Sequence, residues 1–114
     1  MIFFKKSKNE RLKNKIAFEL GHSLLNYFKD DLDKTYEFID RLKISNLIVQ
    51  EKKKSIEIII VLDRPGMFIG KKGQIINHIE RYINETNDLK KIHIHLKETG
   101  LWIFYLYPYN IKNI

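Results

Sequence analysis

The chain has 114 residues, enough for one hydrophobic core and too few for two. It contains no cysteine, so neither a disulfide framework nor a thiolate zinc site can be built. Lysine and arginine outnumber the acids 21 to 14; the resulting +7 favours a polyanionic partner and leaves RNA, DNA and acidic lipid open.

Residues 101–107 form the longest apolar run, far short of the ~20 residues that cross a bilayer. Residues 1–6 carry their charge after a very short apolar stretch, the reverse of a secretory signal. A soluble cytoplasmic protein without a membrane partner is expected. Lys5, Lys6, Lys8, Arg11, Lys13 and Lys15 face the single acid Glu10. A helical stripe follows over residues 9–28: Leu12, Ile16, Ala17, Leu20, Leu24, Tyr27 and Phe28, with Ser7 or Asn9 as cap. Gly21 inside it costs about 1 kcal/mol relative to alanine, so it marks a bend or a close contact. The helix either packs with a solvated basic end or serves as an auxiliary basic arm that adds phosphate contacts, and the two are compatible.

Asp30, Asp31 and Asp33 suit the positive end of a second helix, whose apolar face is read as Leu32, Tyr36, Ile39 and Leu42. Five acids between residues 30 and 40 make this the part least suited to nucleic acid, and capping explains them without catalysis. Residues 47–50 read as a strand, 51–54 as a hairpin connection, and 56–62 as a second strand. Both faces of that second strand are apolar, since Ile59 and Val61 alternate with Ile58, Ile60 and Leu62. Something should cover its second face, either the N-terminal helix or the C-terminal tail.

Arg64-Pro65-Gly66 then reads as a turn and Met67-Phe68-Ile69 as one apolar helical turn. Gly70-Lys71-Lys72-Gly73 leads straight into a helix with Ile75, Ile76, Ile79, Tyr82 and Ile83 on one face. Glycines let the backbone turn sharply and a ligand approach closely, the lysines add charge, and the first helical amides point back at the tetrad. Such a site suits an anionic backbone. A nucleotide P-loop is excluded, because it needs four residues between its glycines followed by Lys and Ser or Thr. A bare turn between helices is the alternative without a ligand.

After a polar turn at residues 84–88, Ile92, Ile94 and Leu96 alternate with His93, His95 and Lys97 in a half-buried strand. The His-x-His pair lacks a clear third ligand, so no metal and no cofactor is expected. The tail places Trp102, Phe104, Tyr105, Tyr107 and Tyr109 within a few residues, too apolar to be left in water. An added strand or cover on the sheet, a protein-docking or homodimer edge, and base stacking all remain open for residues 101–109.

The order helix, strand, strand, short helix, glycine loop, long helix, strand resembles a type II KH domain. The run Arg-Pro-Gly-Met-Phe-Ile-Gly-Lys-Lys-Gly looks most like the KH domain in the family of third small-subunit ribosomal proteins of bacteria. The likeness covers roughly residues 32–97. It implies an α+β fold with a three-stranded mixed sheet packed by helices, between a basic helical extension at 1–29 and an aromatic tail at 99–114 packed on the domain. It also implies a loop that clamps about four nucleotides of single-stranded RNA. Gly70, Lys71, Lys72 and Gly73 would hold the backbone. Arg64, Met67, Ile69 and Ile76, with His93 and His95 beside the last strand, would line the groove. The ribosomal family continues into a second domain, for which this chain has no room. A non-enzymatic single-stranded RNA-binding protein is expected, linked to translation or ribosome-associated RNA. Single-stranded DNA fits the same residues, since none is assigned to a 2′-hydroxyl. The alternative is an assembly module of KH fold that docks a protein through its aromatic tail.

Overall fold

The computed structural model describes residues 8–100. Helix α1 (Lys8–Tyr27) runs through Gly21 without a break. Its stripe is largely as read: Ile16 and Leu24 are buried and Leu12, Leu20 and Phe28 pack against them, whereas Ala17 is exposed. Lys29 and Asp30, both at positive φ, reverse the chain. Asp31 then caps α2 (Leu32–Leu42) by accepting the Lys34 N–H at 3.0 Å.

The buried face of α2 differs from the expected one. Thr35 and Leu42 are buried with Phe38 and Ile39 partly so, while Leu32 and Tyr36 face solvent. The set 35, 38, 39, 42 is as helical in spacing as 32, 36, 39, 42. Thr35 can occupy the inner face because its hydroxyl is satisfied by the Asp31 carbonyl at 2.7 Å.

Strands β1 (Ile44–Glu51), β2 (Ser55–Leu62) and β3 (Lys91–Glu98) form one sheet in the order β1-β2-β3. The β1–β2 pair is antiparallel, with Val49 opposite Ile58, and its turn is closed by the Lys52 N–H donating to the Ser55 carbonyl at 2.7 Å. The β2–β3 pair is parallel, with Ile58 opposite Ile94. Parallel neighbours need a crossover. Here it carries α3 (Pro65–Ile69), a 3₁₀ turn (Lys71–Gly73) and α4 (Gln74–Thr86).

Ile56, Ile58, Ile60 and Leu62 join Ile92, Ile94 and Leu96 on the helical side of the sheet. Ile16, Leu24, Phe68, Ile76, Ile79 and Ile83 complete that core. The α1 helix is therefore not the cover expected for the second face, because its one apolar stripe is already used on the core side. That second face carries Glu57, Ile59 and Val61 on β2, His93, His95 and Lys97 on β3, and the exposed Ile48 on β1. The tail at 101–109, the other expected cover, lies outside the described residues.

Candidate nucleic-acid interface

Pro65 starts α3 at a position where its missing N–H is no loss. Phe68, fully buried, anchors this short helix to the core, and Gly70 ends it by donating its N–H to the Gly66 carbonyl at 3.0 Å. Gly70 sits at φ 78°, ψ 176°, a region open essentially to glycine alone. Lys72 (φ 57°) and Gly73 (φ 75°) follow in the left-handed region, and the Gly73 N–H donates to the Gly70 carbonyl at 3.2 Å. The tetrad thus folds into one tight turn with Lys71 and Lys72 exposed. No side chain caps α4. The positive end of that helix is left to solvent or an anion beside the two lysines.

The other residues read from the sequence are distributed unequally. Arg64 is exposed at the start of α3, and Met67 and Ile69 are half-buried along it. Ile76 is fully buried among the core isoleucines, so it supports the groove from beneath and offers no surface to a ligand. His93 and His95 stand on the sheet face opposite α4, where both are taken up by Glu57. The His93 Nδ1–H donates to Oε2 at 3.0 Å and the His95 Nε2–H to Oε1 at 2.6 Å, while the Ser55 hydroxyl donates to Oε2 at 2.8 Å. Burial raises the carboxyl pKa, but hydrogen bonds from His95, Ser55 and His93 and the electrostatic attraction of His93 outweigh it and lower the pKa to about 2. Among the described residues no group of three or more His, Asp or Glu is arranged to hold a metal.

The basic arm lies at the other end of α1. Arg11 and Lys15 are exposed and Lys13 half-buried on its early turns. Arg11 is roughly 24 Å along the helix from Tyr27, at 1.5 Å per residue. Lys5, Lys6 and the side chain of Lys8 lie outside the described residues.

Two braces on α4 escape the sequence reading. Gln74 donates to the Tyr27 hydroxyl at 2.8 Å, and the His78 Nε2–H donates to Asn26 Oδ1 at 3.0 Å, with Tyr27 edge-on to the His78 ring. They tie the end of α1 to the first turns of α4, directly behind Gly73. Burial, then the charge of Arg81, pushes the His78 pKa down, in favour of the neutral ring. The second brace holds the outer edge of β3. Glu80, buried, accepts the Ile94 N–H at 2.8 Å, and Asn84 accepts the Ile92 N–H at 2.8 Å while donating to the Ile92 carbonyl at 3.3 Å. A spacing of four residues from Ile76 and three from Ile83 is the signal that could have placed Glu80 on the inner face of α4, against the polar face expected for it. Glu80→Ala should cost about 1–3 kcal/mol in urea denaturation because it removes the acceptor of a buried N–H, and Glu80→Gln should cost less. Equal losses in the two variants would refute that account.

A helix pair flanking a two-glycine turn, laid across a mixed sheet with a parallel β2–β3 pair, is the arrangement of a KH domain. The family model of the KH domain matches residues 27–99, and the chain belongs to that family. The match begins at the last residue of α1, so most of that helix is an addition to the family's elements. Within the family, the chain is similar to small ribosomal subunit protein uS3 of Campylobacter concisus (strain 13826), at 33% identity over 57 residues. The alignment covers 48% of this chain and 23% of that protein, so the chain matches less than a quarter of its relative's length.

Proposed function

We propose that this chain binds single-stranded RNA through the Gly70–Gly73 turn, without catalysis, and serves translation or another ribosome-associated RNA in the cytoplasm. The turn itself carries the reading. Three of its residues have positive φ, its two lysines project into solvent, and it opens onto the uncapped start of α4. These features suit a phosphodiester backbone. Arg64, Met67 and Ile69 would meet the bases. His93 and His95 would reach them only by leaving Glu57, so in this reading they take second place. Family membership and the similarity to uS3 support RNA as the polymer. Single-stranded DNA is the competitor to exclude.

The basic arm adds phosphate contacts only for a strand longer than the loop holds, since it lies roughly 24 Å along α1 from the loop's brace. The deciding experiment is fluorescence anisotropy with short single-stranded RNA over a salt series, with single-stranded DNA and duplex RNA as competitors. Lys71→Asp/Lys72→Asp should lose most of the binding while keeping its circular dichroism. The salt slope should flatten by about 1.4 log units per decade, at ~0.7 per phosphate. Unchanged binding in a folded double variant would remove the loop mechanism and point to α1. Absence of binding to any RNA would favour the assembly-module reading, whose tail residues 101–109 lie outside the described part.

A further inference from the structure

Two clefts on the helical side share one floor. The first, about 270 Å³, lies between Ala17, Phe18 and Gly21 of α1 and Leu32, Tyr36 and Ile39 of α2. The second, about 260 Å³, continues from Ala17, Gly21 and Ile39 toward Ile44 and Leu47 of β1. Together they make one apolar groove. Five large apolar side chains are exposed among the described residues, and four border it: Phe18 (64%), Tyr36 (66%), Leu32 (53%) and Ile44 (42%). Apolar side chains gathered in this way mark an interaction surface, whereas scattered ones do not.

Gly21 lines both clefts. A Cβ there would meet nothing within 4 Å, and its φ is not positive. Neither backbone conformation nor internal packing calls for glycine, and the helix runs on through it, although glycine costs about 1 kcal/mol against alanine. Bare backbone along an apolar groove permits close approach by another chain.

The rim identifies the kind of chain. Residues 29–43 hold five acids and four bases, but two of the bases, Lys34 and Arg41, line the cleft on the other side of α2 with Phe28 and Phe38. Asp33 and Asp40 flank Tyr36 at three and four residues' distance, on the same exposed side of α2. Such a wall repels nucleic acid and attracts lysine and arginine. We propose that this groove docks a basic amphipathic helix of a partner protein, with apolar side chains at i, i+3, i+4 and i+7 in the groove and basic ones against Asp33 and Asp40. This docking is independent of the RNA reading.

The probe is a fluorescein-labelled synthetic helix of leucine and lysine with that spacing, compared with a twin carrying glutamate in place of lysine. The basic helix should bind the full chain at least about tenfold more tightly than its acidic twin. Gly21→Leu, which fills open space and favours the helix, should weaken it by about tenfold without altering RNA anisotropy. Asp33→Lys/Asp40→Lys should weaken it similarly. Absence of binding, equal binding of the twins, or indifference to Gly21→Leu would overturn the proposal. A dimer in sedimentation that Gly21→Leu dissociates would assign the groove to a second copy instead. Binding that emerges only after removal of residues 1–7 or 101–114 would assign it to an end of this chain. Either result would equally overturn the proposal.

Discussion

Gly70→Ala should destabilise the domain by about 3 kcal/mol, whereas Gly73→Ala should cost only about 1. Both glycines have positive φ, but their ψ values and surroundings differ. At Gly70 (φ 78°, ψ 176°) a Cβ would stand 2.7 Å from Ile75 Cγ1 and 3.0 Å from the Ile75 backbone nitrogen. The backbone region is closed to other residues, and the obstacle includes main chain that cannot rotate away. Relief requires moving α3 or the first turn of α4, and either shift dismantles the lysine-bearing turn. At Gly73 (φ 75°, ψ 14°) the conformation is ordinary left-handed helix, and the nearest atom is the end of the exposed Asn77 side chain at 3.2 Å. Asparagine tolerates that region better than alanine, so Gly73→Asn should be the mildest of the three. Urea denaturation ranks the variants. A Gly70→Ala protein as stable as Gly73→Ala would show that the turn is softer than its geometry implies.

The same contrast shows what the sequence could and could not reveal. Gly-Lys-Lys-Gly followed by isoleucines at helical spacing was legible, because the turn and the helix are both local. The strand around His93 and His95 was legible from alternation alone. The inner face of α2 was not. Tyr36 outranks Thr35 in apolarity, and only the hydroxyl's bond to Asp31 makes threonine the better buried residue. The side chains that steady the site, Tyr27 with Gln74 and Asn26 with His78, are far apart in the chain. Tyr27 could be read as core from its stripe, but nothing local says that its hydroxyl meets the first residue of α4. Ile76 lies on the buried face that its spacing announces, and the groove role implied by the resemblance turns on how deep it sits. A periodic isoleucine announces burial, and the depth of that burial depends on what is stacked above it.

Glu57 was the least legible of all, since its partners are set by the parallel register that puts it opposite His93. Its consequence is an acid-sensitive fold. In the unfolded chain a glutamate takes up a proton near pH ~4.3, whereas in the fold hydrogen bonds from His95, Ser55 and His93 hold the carboxyl pKa down at about 2. Between those values the unfolded state binds more protons, so falling pH favours it. The contribution is complete above roughly pH 5 and is lost as pH falls toward 2, amounting to about 3 kcal/mol. Solvent reaches part of the side chain, which is 17% exposed, so screening makes this figure an upper value. Glu57→Gln keeps the shape and removes the titration. Its stability deficit against the wild type, measured in urea at steps from pH 6 to 2, should shrink by up to about 3 kcal/mol over that window. Parallel curves for the two proteins would mean that the histidines do not hold the carboxylate in solution. The face of the sheet away from α4 would then need another source of order. A closing gap would establish this four-residue cluster as the polar clamp joining β2 to β3 on the face that α4 does not cover.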